Sequence, residues 1–222
     1  MKNIVIYGAS GHGKMIVDII LKNKNYNIKG FIDSFKPVDT AIYGQKVIGN
    51  LDALADLIKS HNIYGIVIAI GENHTRQIAY NKIKKVAPNI NFIPVVHPEA
   101  ILAHDIVVAK GTVIMAGAIV NSNAEIGEFC ILNTKSSLGH DSKLDNFSSL
   151  ASGATLGGNV TIGSCTAVCL GATLIQNITI GNNTVIGAGS LVLKDVGDLK
   201  TAFGVPVNVI KDRKQDTKYL GK

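Results

Sequence analysis

From Leu102 onward, every sixth residue is aliphatic: Leu102, Val108, Ile114, Val120, Ile126, Leu132, Leu138, Leu144, Leu150, Leu156, Ile162, Val168, Leu174, Ile180, Ile186 and Val192. A period of six fits neither an amphipathic helix nor an alternating strand. It fits a triangular coil whose three short, flat sides each point one aliphatic inward. Four residues after most of these aliphatics comes a small or β-branched residue: Thr112, Ala118, Ala124, Ser136, Ser142, Ser148, Ala154, Thr166, Ala172, Thr184 and Ser190. Gly often follows the aliphatic, as at Gly127, Gly139, Gly157, Gly163, Gly181 and Gly187, and Gly or Asn relaxes the corners of such a coil. Three hexapeptides make one coil, and coils stack at a strand spacing of about 4.8 Å. The pattern predicts a left-handed parallel β-helix of hexapeptide repeats from about Leu102 to Val196. Packing alone accounts for all of these residues, so none of them is evidence of chemistry.

Composition agrees with thin repeated layers around a narrow core. The 222 residues are 46% hydrophobic and 17% charged, with 23 Gly, few aromatics and no Trp. That is a globular composition. The formal charge of +6 is carried by scattered basic residues, with a mild cluster at Lys211, Arg213, Lys214, Lys218 and Lys222. No basic stripe with stacking aromatics is present, which argues against nucleic acid and leaves a small polyanion, such as a nucleotide or coenzyme phosphate, as the better partner. Cys130, Cys165 and Cys169 are odd in number and not closely paired, as expected of small buried thiols rather than a disulfide framework or zinc knuckle. The N-terminal apolar run is too short for a signal peptide, and no run is long enough to span a membrane. The expectation is a cytoplasmic protein without membrane association.

Residues 1–97 read as a separate α/β domain, with the β-helix domain and a C-terminal tail occupying 98–222. Strands are expected at residues 3–7, 28–32, 64–70 and 91–96. Helical patterns are carried by Met15, Ile16, Ile19 and Ile20; by Leu51, Leu54, Leu57 and Ile58; and by Ile78, Ala79, Ile83 and Val86, the last capped by Asn73 or its neighbour. Strands alternating with helices predict a small, Rossmann-like parallel sheet. Its first turn, Gly8-Ala9-Ser10-Gly11-His12-Gly13-Lys14, departs from the G-x-G-x-x-G dinucleotide spacing. The turn therefore points to nucleotide-sugar phosphate or nucleoside binding at a helix N-terminus, or else to a tight turn only. Asp33, at a strand end, is suited either to a ribose or base or to a solvated turn.

On the β-helix the stretch Asn133-Thr134-Lys135-Ser136-Ser137-Leu138-Gly139-His140-Asp141 stands out. His140 is an outward residue near a corner, and His is the side chain best suited to take a proton near neutral pH. A carboxylate can orient the ring and stabilise its cation. Adjacent residues on a strand point to opposite faces, so His140 and Asp141 can cooperate only if the backbone bends between them. The competing reading is a zinc site like that of gamma-type carbonic anhydrases, from His104, His140 and Asp145 as a third ligand. No metal is expected.

The ordered set Gly8–Lys14, Asn133-Thr134, His140-Asp141, Gly153–Gly163, Gly187-Ala188-Gly189-Ser190, Lys194-Asp195-Val196 and Gly204-Val205-Pro206 resembles the bacterial sugar acetyltransferases. These include the bacillosamine-pathway and perosamine N-acetyltransferases and the sialic acid O-acetyltransferases, and the resemblance spans nearly the whole chain. It implies acetyl-CoA as cosubstrate, no metal, and transfer to the amino group of a nucleotide-linked sugar, UDP-linked and 4-amino, in surface-polysaccharide (lipopolysaccharide) or glycan precursor synthesis. O-acetylation of sialic acid and a non-enzymatic nucleotide-binding scaffold are the alternatives.

The resemblance also implies roles for individual residues. His140 is the general base and Asp141 the acid that raises its basicity. Ser149, Gly158, Leu170 and Ala188 bind acetyl-CoA, with the Gly158 N–H facing the thioester oxygen. Ser10, Gly11, His12, Gly13, Asp33, Ser34, Gly71 and Asn133 bind the sugar nucleotide. The acetyl-CoA cleft lies between subunits of a homotrimer. Two departures stand out. Ser149 occupies a position where relatives often carry His. The ending Gly204-Val205-Pro206-Val207-Asn208 replaces one that commonly closes on Lys, although Lys211 and Arg213 are near in sequence.

Overall fold

A computed structural model of the chain describes residues 1–220. It divides into two compact units, one formed by Met1–Gly71 with Thr75–Pro98 and the other by Glu72–His74 with Glu99 onward.

In the first unit β1 (Lys2–Tyr7), α1 (Gly11–Asn23), β2 (Tyr26–Ile32), β3 (Ala41–Ile42), β4 (Gln45–Gly49), α2 (Leu54–Ser60), β5 (Ile63–Ile68), α3 (Asn73–Val86) and β6 (Asn91–Phe92) follow one another. The sheet order is β3-β4-β2-β1-β5-β6. All pairs are parallel except the β3–β4 hairpin. Parallel neighbours need crossovers; the helices supply all but the one from β2 to β4, which runs through the loop carrying β3. Ile4, Val5, Ile6, Phe31, Ile32, Ile66, Val67 and Ile68 are buried with Ile16, Ile19, Ile20, Leu54 and Ile83, so β1, at the centre of the sheet, delivers the glycine turn above the core.

Three sequence expectations need correction here. The β3–β4 hairpin was not foreseen, because β3 is only two residues long and β4 has no sustained alternation. Its turn, Tyr43-Gly44, has both residues left-handed (φ 48° and 74°), as a two-residue hairpin loop requires. The strand expected through residues 91–96 is split into Asn91–Phe92 and Val95–Val96; Pro94 between them has no N–H to donate to a ladder. Leu51 precedes α2 rather than forming part of it.

The second unit is the repeat made solid. Two-residue strands run from Ile101–Leu102 to Leu191–Val192, each ending on an aliphatic of the six-step series. Val108 is the exception and lies outside any strand. Strands pair in parallel at a separation of 18 residues, as in Ile119↔Ser137, Lys143↔Thr161 and Ile131↔Ser149, so one coil is three hexapeptides. One face carries the strands beginning at residues 101, 119, 137, 155, 173 and 191; a second those at 125, 143, 161 and 179; a third those at 113, 131, 149, 167 and 185.

The small residues four places on are buried as well, and their hydroxyls have a use that periodicity alone does not reveal. Ser148 Oγ donates to the Gly163 carbonyl (2.6 Å) and accepts from the Thr166 N–H (3.2 Å); Thr166 Oγ1 repeats this with Gly181 (2.6 Å) and Thr184 (3.0 Å). A hydroxyl ladder thus satisfies inward-facing backbone groups that burial would otherwise leave unpaired. Each coil has three corners where a residue takes the left-handed conformation. One column is Gly117, Lys135, Gly153, Gly171 and Gly189. A second is Asn123, Asp141, Asn159 and Asn177. The third is Gly111, Phe129, Phe147, Cys165 and Asn183. The hairpin Lys200–Gly204 with Val207–Asp212 closes the last coil through Val185↔Thr201.

Candidate active site on the β-helix

Asp141 has φ 57°, and this corner bend removes the difficulty of two neighbours pointing to opposite faces. His140 Nδ1 lies 2.6 Å from Asp141 Oδ2. A carboxylate only accepts, so Nδ1 is the donor of this bond, and in the neutral ring Nε2 carries the lone pair. Both side chains are more than half exposed. Asn123, one coil away, donates its amide to Asp141 Oδ1 at 2.7 Å. The Asn123 amide first, and the His140 ring after it, hold the Asp141 carboxyl below the usual carboxylate range, so this partner stays charged while the imidazole works.

Gly158, one coil beyond His140, is required by close approach: a Cβ there would lie 2.4 Å from His140 Nε2. The imidazole therefore rests against the Gly158 backbone. Among the described residues the Gly158 N–H has no backbone acceptor. The imidazole Nε2 and the Gly158 backbone consequently adjoin. This arrangement can remove a proton from a nucleophile and stabilise an oxyanion.

The expected coenzyme residues do not all join this corner. Leu170 and Ala188, both exposed, sit on the glycine corner column, linked to each other by the Gly189 N–H donating to the Leu170 carbonyl (2.8 Å). Asn133 adjoins the same corner, its Oδ1 accepting the Thr134 N–H at 2.8 Å. One side of the triangle, the face carrying residues 137 and 155, separates this corner from His140. Ser149 is buried on a different face, its hydroxyl 3.5 Å from the Tyr219 hydroxyl, which in turn accepts the Asn73 N–H at 3.3 Å. A tyrosine from the C-terminal tail thus reaches Ser149, and no spacing in the sequence signals it. The Arg213 guanidinium donates to the carbonyls of Asn183 and Thr217. Among the described residues no group of three or more His, Cys, Asp or Glu is arranged to hold a metal ion.

In the first unit the glycine loop is a tight turn and an open helix end at once. A Cβ on Gly13 would lie 2.5 Å from the Gly8 carbonyl oxygen, while Gly11 has open space around it. The first bond of α1 is Lys14 N–H to Ser10 carbonyl (3.1 Å). The N–H groups of Gly11, His12 and Gly13 are thus without intrahelical acceptors, the usual anion-receptive end of a helix. The His12 ring is enclosed, its Nε2 buried without a partner. Burial first, and the positive Arg76 second, push its pKa down to about 4, so it is a neutral imidazole near pH 7. Arg76, itself buried, anchors the Ile70 and Gly71 carbonyls at 3.0 and 2.9 Å, and sequence reasoning missed it. Asp33 uses both carboxylate oxygens on the backbone, Oδ2 with Ala9 N–H (2.8 Å) and Oδ1 with Phe35 and Lys36 N–H (2.9 and 3.0 Å). Ser34 Oγ lies 3.1 Å from the Tyr7 hydroxyl.

Comparison with known proteins follows the same division. Residues 3–83 match the PglD N-terminal domain. The UDP-N-acetylbacillosamine N-acetyltransferase of Bacillus subtilis (strain 168) is 33% identical over 122 residues, 52% of this chain and 52% of that protein; the chain spans about half the length of this curated relative. Among solved structures, a histidine variant of the perosamine N-acetyltransferase of Caulobacter crescentus, in complex with CoA and GDP-perosamine, superposes with a TM-score of 0.88 at 28% identity, covering 95% of this chain and 97% of that one. The acetyltransferase domain of PglB from Neisseria gonorrhoeae FA1090, in complex with acetyl coenzyme A, gives 0.84 at 27%, covering 93% and 98%. The stacked coils are accordingly those of the left-handed β-helix found in these acetyltransferases.

Proposed function

We propose that this chain, a hexapeptide-repeat protein with a PglD-type N-terminal domain, transfers an acetyl group from acetyl-CoA to the amino group of a nucleotide-linked sugar. The observation that carries this reading is the His140 ring, fixed through Nδ1 by Asp141 at 2.6 Å and resting with Nε2 against Gly158. The neutral sugar amine attacks the thioester carbonyl carbon. As the new C–N bond forms, the amine proton passes to His140 Nε2. The Gly158 N–H faces the oxyanion of the tetrahedral intermediate. Collapse breaks the C–S bond, and the coenzyme thiolate takes the proton from the imidazolium. No covalent enzyme intermediate and no metal enter this scheme. Holding both substrates in one cleft supplies much of the rate.

The acceptor is a UDP-linked 4-amino sugar. In support, the curated relative acts on a UDP-linked sugar, whereas the Caulobacter neighbour holds GDP-perosamine. The open end of α1, at Ser10–Gly13, receives the nucleotide phosphates, with Asn133 near the sugar. A homotrimer accounts for the separation of Leu170 and Ala188 from His140, because the glycine corner of one subunit can then meet the His140 corner of the next and complete the acetyl-CoA cleft. The pathway is surface-glycan precursor synthesis, in the cytoplasm.

Calorimetry with acetyl-CoA, followed by mass analysis of products from amine-bearing and hydroxyl-bearing acceptors, tests the reading. It predicts coenzyme binding and an N-acetylated nucleotide sugar. An O-acetylated product instead would mean an O-acetyltransferase; absence of coenzyme binding would leave a nucleotide-binding scaffold.

A further inference from the structure

The corner column that carries Asp141 is polar over several coils, and its side chains form a chain of contacts leading to His140. Asp105 Oδ2 accepts the Asn123 backbone N–H at 2.7 Å. The Asn123 side-chain amide donates to Asp141 Oδ1 at 2.7 Å, and Asp141 Oδ2 meets His140 Nδ1 at 2.6 Å. Farther along, Asn159 Nδ2 donates to Asn177 Oδ1 at 2.9 Å. The ladder is interrupted between Asp141 and Asn159, where the second carboxylate oxygen turns to the imidazole instead.

We propose that Asn123 is a positioning residue of the active site, whose amide clamps the free oxygen of Asp141 and so fixes the plane of the carboxylate that orients His140. The argument is geometric. Asp141 and His140 are both exposed, with side-chain accessibilities of 51% and 68%, so packing does not hold their rotamers. One hydrogen bond to Oδ2 leaves the carboxylate free to turn about its Cβ–Cγ bond; a second, to Oδ1 from a different coil, removes that freedom. Asn123 is itself fixed, by its left-handed backbone (φ 58°) and by the bond from its N–H to Asp105. The donor character of the residue is essential. An Asp at 123 would keep the shape and set a second carboxylate against the first.

The inference rests on the reading of His140 as the general base. Asn123→Gly tolerates the left-handed backbone and removes the amide; Asn123→Asp keeps the size and reverses the hydrogen-bonding sense. Acetyl transfer by both variants and the parent is measured from pH 5 to 9, with melting curves for each protein. The coils next to His140 present Ser122, Asn123, Gly158 and Asn159, none of which titrates; the nearby charged or titratable groups are Asp141 on its own corner, with His104 and Asp105 two coils away.

In Asn123→Gly, kcat is expected to fall on the order of tenfold, the effect of losing a hydrogen bond to a charged group, with the KM for acetyl-CoA unchanged. In Asn123→Asp the acid limb of kcat/KM moves to higher pH, because added negative charge stabilises the imidazolium. Parent-like kcat and pH profile in both variants overturn the proposal. His140→Ala, assayed alongside, separates the two ideas: if it is inactive while the Asn123 variants are normal, the base stands and the clamp fails; if it too is fully active, the base assignment has failed.

Discussion

Two corners of one β-helix have the same backbone and opposite fates. Phe129 and Phe147 (φ 56° and 59°) are buried, their rings stacked with centroids 4.9 Å apart and planes within 5°. Asn123 and Asp141 (φ 58° and 57°) turn the chain in the same way but are exposed, tied by an amide–carboxylate bond. The left-handed conformation costs an ordinary side chain roughly 1–2 kcal/mol. One column offsets that cost with buried aromatic surface; the other uses short polar side chains that tolerate the conformation. The same coil can therefore make either a structural staple or a reactive corner, and what distinguishes them is whether the turned residue faces packed side chains or water.

The sharpest test of that contrast pairs two substitutions. His140→Ala is expected to lower turnover by about 10²–10⁴-fold, the usual range for a general base, while leaving the melting curve and acetyl-CoA affinity intact. Phe129→Ala should do the reverse, lowering the free energy of unfolding by about 3–5 kcal/mol with normal turnover per folded molecule. If Phe129→Ala abolished turnover without destabilising the protein, the division between the two corners would be wrong.

A histidine with a buried ring nitrogen provides the next contrast. The His12 pKa lies near 4 in the folded protein against about 6.5 when exposed, so the unfolded chain binds more protons between these values. Its contribution to stability is complete above pH 6.5 and is lost as pH falls through 4, amounting to as much as about 3 kcal/mol. Denaturant titrations across that range should show the loss, and His12→Asn should flatten it. An unchanged slope in the variant would remove His12 from the account. The smallest effect is expected from Gly158→Ala. The added methyl displaces the exposed His140 ring, so turnover drops about tenfold with little change in melting temperature; equal turnover would mean that Gly158 does not seat the imidazole.

Much of this was legible in the residues. The six-step aliphatics each sit where the period predicted, closing one two-residue strand of the coil; the exception is Val108, in a stretch that forms no strand. His140-Asp141 could be singled out because His is suited to take a proton near neutral pH and a carboxylate follows it. What remained hidden depended on contacts between distant positions. Arg76 has the appearance of an ordinary helix residue until burial and its carbonyl partners are seen. Tyr219 reaches Ser149 across 70 residues. Asn123 did have a signal, the polar series Asp105, Asn123, Asp141, Asn159 and Asn177 at intervals of 18 residues, but the search for aliphatics passed over it. The separation of Leu170 and Ala188 from His140 was legible as well, since neither stands a whole number of 18-residue coils from His140.

The central claim is acetyl transfer to an amine, and its most direct test is coenzyme thiol release from acetyl-CoA in the presence of UDP-, GDP- and dTDP-linked amino sugars. The account predicts rapid, saturable release with one amine acceptor and none without acceptor. Silence across the panel from a folded protein that binds acetyl-CoA would contradict it.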